Sequence, residues 1–382
     1  MTIGSTLGRA VDRVRGAERG VAPAILAEPQ ADGSVRCHLC AHRCLIRPDR
    51  RGICMVRENR GGELVTLVYG EAVSVALDPI EKKPLFHVDP GSAAYSIATW
   101  GCNFHCRFCQ NWEIAQAGRE HIHVPTRHLP PEDIVAEARA LGAGSIAYTY
   151  VEPTIFAEYA VDTARLAKAA GIRNLFVTNG YMTPEAIEVL GPLLDAANVD
   201  IKGFNDRFYR RYLGATLEPV KESLIGLKAA GVWLEVTTLV VPGLNDDPAE
   251  LEALATWVRD ALGPETPWHL SRFFPAYNMT DVPPTPLPTL LAAAEIGRRV
   301  GLAHIYVGNA PDVGGEDTFC AGCGRLLIAR RGYRVARNVL VAGACPDCGA
   351  RLAGLGLGGP EVARGTPPSA AGTGPGAREV TG

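Results

Sequence analysis

The sequence predicts an α/β protein centred on a partial (β/α)6 TIM-type barrel, with a small N-terminal cysteine-rich segment and a C-terminal zinc ribbon. Three observations predict it. Between Ala94 and Val307, β-branched and apolar runs alternate with capped amphipathic stretches, the pattern of a parallel sheet with right-handed crossovers. The polar motifs fall at the ends of the predicted strands, where barrels of this kind place their sites. The 11 cysteines fall into groups of four, three and four, which suits two closed metal sites and one site with an open position.

Taken in order, residues 1–25 show weak periodicity and are expected to be flexible. Residues 26–92 carry Cys37, Cys40, Cys44 and Cys54, which could close a small metal knot around the Gly52 turn. Zinc, a second iron–sulfur cluster and metal-free buried thiols all remain open. His38 and His42 are expected beside this site or at the surface. Leu64–Tyr69 and Ala72–Leu77 read as a hairpin around Gly70. The polar run Asp78–His87 leads into the core, and Lys82 and His87 are candidates to approach the active site or to lie in a connecting loop.

Residues 93–312 form the predicted barrel. Strands are expected at 94–100, 145–150, 172–178, 198–202, 232–241, 268–274 and 302–307, giving six βα units and a closing strand. The intervening helices carry start and stop signals. Pro130-Pro-Glu-Asp opens one that Gly142 ends, and Asp247-Pro-Ala-Glu250 resembles a capping box. In the 313–353 segment, Cys320-x2-Cys323 and Cys345-x2-Cys348, separated by 21 residues, read as a four-cysteine zinc ribbon. Arg325, Arg330, Arg331, Arg334 and Arg337 between the knuckles read as a solvated basic face. Gly, Pro and Ala dominate 354–382, read as a disordered tail.

The stretch Trp100-Gly-Cys102-Asn-Phe-His-Cys106-Arg-Phe-Cys109-Gln-Asn-Trp112 follows the first barrel strand. Three thiolates can each hold one iron of a cubane, leaving the fourth iron to a ligand that is not protein. A zinc ion completed by His105 or by a distant residue is the other reading of the spacing. Trp100, Phe104, Phe108 and Trp112 can shield the site.

Cys102-x3-Cys106-x2-Cys109 resembles the signature of the radical S-adenosylmethionine (radical SAM) superfamily. Gly101 to Trp112 resembles its activating-enzyme branch, in particular the AmmeMemoRadiSam system. The N-terminal CxxCxHxC and GxCxVREN stretches extend that likeness. The resemblance implies a [4Fe–4S] cluster, SAM chelated at the open iron, and reductive cleavage to a 5′-deoxyadenosyl radical that abstracts hydrogen from substrate. It implies SAM contacts from Glu152, within Tyr148-Thr-Tyr-Val-Glu-Pro-Thr154, and from Thr178 and Asn179. Asp200 and Lys202, matching Asp-x-Lys, and Tyr277, placed where activating enzymes have a His near adenosine, complete the set. Val151 and Val177 depart from the family pattern. A flavodoxin or ferredoxin electron donor, Memo- and AMMECR-family partners, and a protein substrate, with glycyl-radical formation as one version, also follow from the likeness.

A net charge of −3 gives no basic footprint for nucleic acid. No long apolar run suggests a membrane span, and Met1–Gly20 lacks a signal-peptide core. A cytoplasmic protein is expected. In the class opposed to an enzyme, a non-enzymatic iron–sulfur carrier would complete the central cluster with a fourth cysteine, and the charge gives a zinc-ribbon binding module for nucleic acid no support.

Overall fold

The computed structural model describes residues 18–310 and 313–358. Six short strands come first: β1 (Ala22–Pro23), β2 (Ala27–Pro29), β3 (Val35–Cys37), β4 (Leu45–Ile46), β5 (Arg57–Arg60) and β6 (Glu63–Thr66). They form two antiparallel sheets, ordered β1-β6-β5 and β2-β3-β4. Ala22 and Pro23 pair with Val65 and Thr66, so order begins before residue 26; residues 1–17 lie outside the described part. A small antiparallel pair joins β7 (Glu71–Ala72) to β10 (Arg127–His128).

The main sheet contains β8 (Ser74–Pro79), β9 (Ala93–Ala98), β11 (Ser145–Tyr148), β12 (Arg173–Thr178), β13 (Ala196–Asp200), β14 (Trp233–Val240), β15 (Trp268–Arg272) and β16 (Ile305–Gly308). Its order is β16-β15-β14-β13-β12-β11-β9-β8. The seven strands from β9 to β16 are the predicted ones and run parallel, while β8 adds an antiparallel edge along β9. Helices Pro131–Ala140, Ala157–Ala169, Pro184–Leu190, Glu218–Ala229, Pro248–Trp257 and Leu287–Val300 fill the crossovers. Strands covered on both faces need no polar alternation; every residue of β11 is buried. No helix among the described residues is long and apolar enough to cross a membrane.

The expected hairpin around Gly70 does not form. β6 instead folds back on β5 through Gly61–Gly62, and β8 joins the barrel sheet. Alternation marked both strands correctly but carries no information about the partner.

Ile80–Val88 folds beneath the sheet as a plug. The backbone N–H groups of Phe86 and His87 donate to Glu235 Oε2 and Oε1 at 3.0 and 2.8 Å, and His269 Nε2 lies 2.7 Å from Oε2. Asn198 Nδ2 donates to Pro84 O at 2.8 Å. Burial pushes the Glu235 carboxyl up, but His269, His87 and the backbone donors outweigh it and hold the group below its ordinary value. Burial pushes His87 down to about 3. The neutral ring donates from Nδ1 to Ala353 O at 2.7 Å and accepts at Nε2 from the Tyr306 hydroxyl at 2.6 Å. His87 therefore belongs to the N-terminal end of the strands, whereas Lys82 pairs with Asp78 at 3.0 Å, a carboxylate that also accepts from the Tyr150 hydroxyl, and lines a cavity with Ser271 and Asn309.

The last domain is the antiparallel sheet β17 (Thr318–Phe319), β18 (Leu326–Arg331) and β19 (Arg334–Asn338). Arg330 corrects the basic-face reading. Its guanidinium is buried, donating to Phe86 O at 2.8 Å and Thr318 Oγ1 at 2.8 Å, and lies 4.3 Å from the centre of the Phe86 ring. The tail begins later than expected: Leu355 pairs with His87 and Asp89, and residues 359–382 lie outside the described part.

Replacing Glu235 with Ala strands two buried N–H groups and an imidazole, so Glu235→Ala is expected to cost about 3 kcal/mol of stability or more. A urea unfolding midpoint unchanged from the parent would show that the plug is not held through this carboxylate.

Candidate functional site

The parallel strands deliver every candidate polar motif to one edge, the C-terminal rim. After β9 the chain turns at Gly101, whose φ of +92° suits glycine. A Cβ there would stand 2.6 Å from Val56 Cγ1 and 2.8 Å from Cys54 O. Cys102, Cys106 and Cys109 follow on a loop without regular structure; Cys106 is buried and the other two are partly so.

Neighbouring segments hold this loop. The N–H groups of His105 and Arg107 donate to Leu213 O and Tyr212 O at 2.8 and 3.1 Å. Those acceptors lie in a π-helical turn, Tyr209–Leu213, a geometry frequent at functional sites. Asn278 N donates to Arg107 O at 2.9 Å, and Gln110 Nε2 to Phe274 O at 3.0 Å. Phe104 packs against Tyr181 and Tyr209, and Phe108 against Phe208 and Phe273. Trp100 and Trp112 are only partly buried.

Burial pushes the Cys102 and Cys106 thiols up to about 12 and Cys109 up to about 11. Such thiols ionise when a metal replaces the proton. Lys202 works against burial at Cys106 and Cys109. Its Nζ lies 2.8 Å from Asp200 Oδ2. Burial opposes the Lys202 charge, but Asp200 and Cys106 outweigh it and raise the pKa above the ordinary lysine value. The Asp-x-Lys pair thus sits beside the thiols as a held cation.

Glu152, Thr178 and Asn179 come together as a brace. Glu152 Oε1 accepts from Thr154 N at 3.1 Å, Thr154 Oγ1 at 2.5 Å and Thr178 Oγ1 at 2.7 Å; Oε2 accepts from Asn179 N at 2.7 Å. Three of these donors meet Oε1 and one meets Oε2, so Oε2 keeps a lone pair. Glu152 therefore positions the loops after β11 and β12, and also caps the turn Pro153–Phe156. Asn179 Nδ2 extends the brace to Asn103 Oδ1 at 2.8 Å.

Asn103 had no assigned role from sequence, although it stands inside the cysteine motif. Its Nδ2 is buried and has no partner among the described residues. Three thiols on one short loop, beside a buried donor without a partner among the described residues, fit a cluster whose last iron takes a non-protein ligand. Tyr277 has protein partners at the rim. It stacks on Trp112, with ring centres 5.2 Å apart and planes 12° apart, and its hydroxyl donates to Glu120. Its ring therefore packs on the loop that follows the cysteines.

The other cysteine groups differ in spread. In the ribbon all four sulfurs lie within 4.8 Å of one another, with Cys320–Cys348 and Cys323–Cys345 at 3.6 Å. Cys37, Cys40 and Cys54 are buried and Cys44 half-buried in the N-terminal knot. His38 is engaged by Glu28 at 2.7 Å, and His42 Nε2 by Asn103 O at 2.9 Å.

Gly101→Ala forces a left-handed backbone and a clash on the contact between the knot and the cysteine loop. It is expected to lower stability by about 2 kcal/mol or more, read in chemical denaturation. A parent-like midpoint would mean the contact yields freely.

Residues 96–255 match the Radical SAM superfamily. An uncharacterized protein of Methanocaldococcus jannaschii, MJ0808, is 46% identical over 307 residues, covering 80% of this chain and 91% of its own. A second protein of that organism, MJ1227, described as a putative glycyl-radical enzyme activating enzyme, is 29% identical over 179 residues, 45% of this chain and 70% of its own. The pyruvate formate-lyase 1-activating enzyme of Escherichia coli K12 is 29% identical over 171 residues, 42% of this chain and 66% of its own. With the cysteine loop at the barrel rim and these relatives, the chain belongs to the radical SAM superfamily, whose members are enzymes built around an iron–sulfur cluster and SAM.

Proposed function

We propose that this chain is a radical SAM oxidoreductase in which Cys102, Cys106 and Cys109 hold a [4Fe–4S] cluster and SAM occupies the remaining iron. The observation that carries the reading is the three-thiol loop at the rim, whose own segment holds no fourth cysteine. When bound, the pair supplies one-electron cleavage of the SAM sulfonium and a 5′-deoxyadenosyl radical that takes hydrogen from substrate.

The chain's own residues supply position and charge. Lys202, fixed by Asp200, offers a cation beside Cys106 suited to a carboxylate. Asn103 Nδ2 offers an unpartnered donor next to Cys102. Glu152 braces Thr178 and Asn179, and its Oε2 keeps a lone pair suited to the SAM ammonium. The stacked Trp112–Tyr277 pair shields the loop from water.

A glycyl-radical activating role, with a protein substrate, is the second reading, supported by the name of MJ1227 and the likeness to the E. coli enzyme. The AmmeMemoRadiSam likeness of Gly101–Trp112 supports Memo- and AMMECR-family partners, with flavodoxin or ferredoxin as electron donor. At the ribbon, the 3.6 Å sulfur separations support zinc, because thiolates held about 2.3 Å from a tetrahedral ion stand about 3.8 Å apart.

Anaerobic reconstitution with iron and sulfide, reduction and addition of SAM should yield 5′-deoxyadenosine, and Cys106→Ala should abolish it. A fully loaded parent protein that releases none would favour a non-enzymatic iron–sulfur protein. Metal analysis should find one zinc per chain in the ribbon, lost in Cys345→Ser together with thermal stability; a zinc content unchanged by that substitution would remove zinc from the ribbon.

A further inference from the structure

The N-terminal knot has the properties of a second redox centre. The thiols of Cys37, Cys44 and Cys54 lie close enough to Cys40 to act on it electrostatically; of the nearby imidazoles, His38 is engaged at both nitrogens by Glu28 and Arg43, and His42 Nε2 meets Asn103 O. Among the described residues, the ribbon is the one set of such ligand atoms gathered within 4.8 Å of one another. Neither the knot nor the Cys102–Cys109 loop gathers three of its ligand atoms within 4.8 Å of one another. A single tetrahedral ion needs sulfurs about 3.8 Å apart, whereas a cubane takes each thiolate on a different iron. The spacing therefore favours a multi-iron cluster over zinc.

Four thiolates close such a cluster completely. No iron is left for SAM or substrate, so what remains to it is electron transfer. Buried Arg57 fits that role. It donates from Nη1 to Cys37 Sγ at 3.2 Å, and from Nη2 to Ile25 O at 2.9 Å and to Glu158. A fixed cation and an N–H donor at a ligating sulfur are the usual levers on cluster potential.

The knot also adjoins the SAM-type loop directly. Cys54 O lies against Gly101, one residue from Cys102. Arg119 donates to Ile53 O, beside Cys54, and to Cys102 O at 3.0 Å, so one guanidinium ties both cysteine segments. Cys40 is bridged to Met182, and Ala41 N donates to Tyr181 O at 3.1 Å, next to the Thr178–Asn179 loop.

We propose that Cys37, Cys40, Cys44 and Cys54 hold a second [4Fe–4S] cluster that relays electrons to the cluster of Cys102, Cys106 and Cys109. One electron enters from a low-potential one-electron donor, and the same electron leaves for the neighbouring cluster; no bond forms or breaks in the knot. The relay rests on the radical SAM reading above, whereas the presence of the second cluster does not.

The test uses the full chain with Cys102→Ala, Cys106→Ala and Cys109→Ala together, which leaves the knot intact. After anaerobic reconstitution this variant should retain about four irons and four sulfides per chain. Its dithionite-reduced spin-resonance signal should not change when SAM is added. An iron-free variant, with or without a second zinc, overturns the proposal. For the relay, Cys40→Ser should lose SAM cleavage driven by reduced flavodoxin and keep cleavage driven by dithionite. Equal rates with both donors, or loss with both, overturns the relay while leaving the first measurement to decide the cluster.

Discussion

Everything at the rim depends on holding three cysteines in place on a loop that has no hydrogen-bond ladder of its own. Such a loop must borrow its order from what surrounds it. Here the π-helical turn after β13, the segment after β15, the loop after β12 and the N-terminal knot each contribute hydrogen bonds or packing. The consequence is mutual dependence. The loop takes its shape from four separate pieces of chain, and each of those pieces loses a partner if the loop moves.

Two buried carboxylates fix the ends of the barrel by the same device. Glu152 at the rim and Glu235 at the base each accept several donors from segments distant in sequence. A buried charge is costly unless its lone pairs are filled, so the donors are constrained as firmly as the acceptor. At the base this draws in the plug, which in turn receives Arg330 and Ala353 of the ribbon domain. The ribbon is thus part of the barrel's foundation rather than an appended module. Its metal, in the reading above, would bear on barrel stability without touching the chemistry.

The parts of this architecture legible in the sequence are those encoded locally. Cysteine spacings, helix caps and strand periodicity each occupy a short window, and the parallel sheet follows from their alternation. Glu152, Asp200 and Lys202 were recognisable because strand ends in a barrel share one rim. Long-range pairings were not legible. β8 was identified as a strand but given the wrong partner. Arg330 looked like surface because nothing nearby in sequence shows that Phe86 and Thr318 will surround it. Glu235 and His269, inside strands, carried no motif at all, and nothing in the sequence showed that Tyr277 would stack on Trp112. A buried polar residue in an apolar strand is the one signal that could have exposed Glu235, since such a group demands a partner.

The three cysteine groups form a graded set when their spread is compared with their number. Four tight thiols in the ribbon match one ion and leave nothing open. Three spread thiols at the rim match a cluster with one vacant iron. Four thiols in the knot would close a cluster with none vacant, and the knot meets the rim loop through Arg119 and the Gly101 contact. Coordination number decides where reaction can occur, because only the rim group has a position for an exogenous ligand. Proximity decides which closed group bears on it. The ribbon meets the plug at the N-terminal end of the strands, whereas the knot touches the residue next to Cys102. In the proposed relay, electrons supplied from outside would reach the rim through the knot, whose contacts with the cysteine loop run through Gly101 and Arg119.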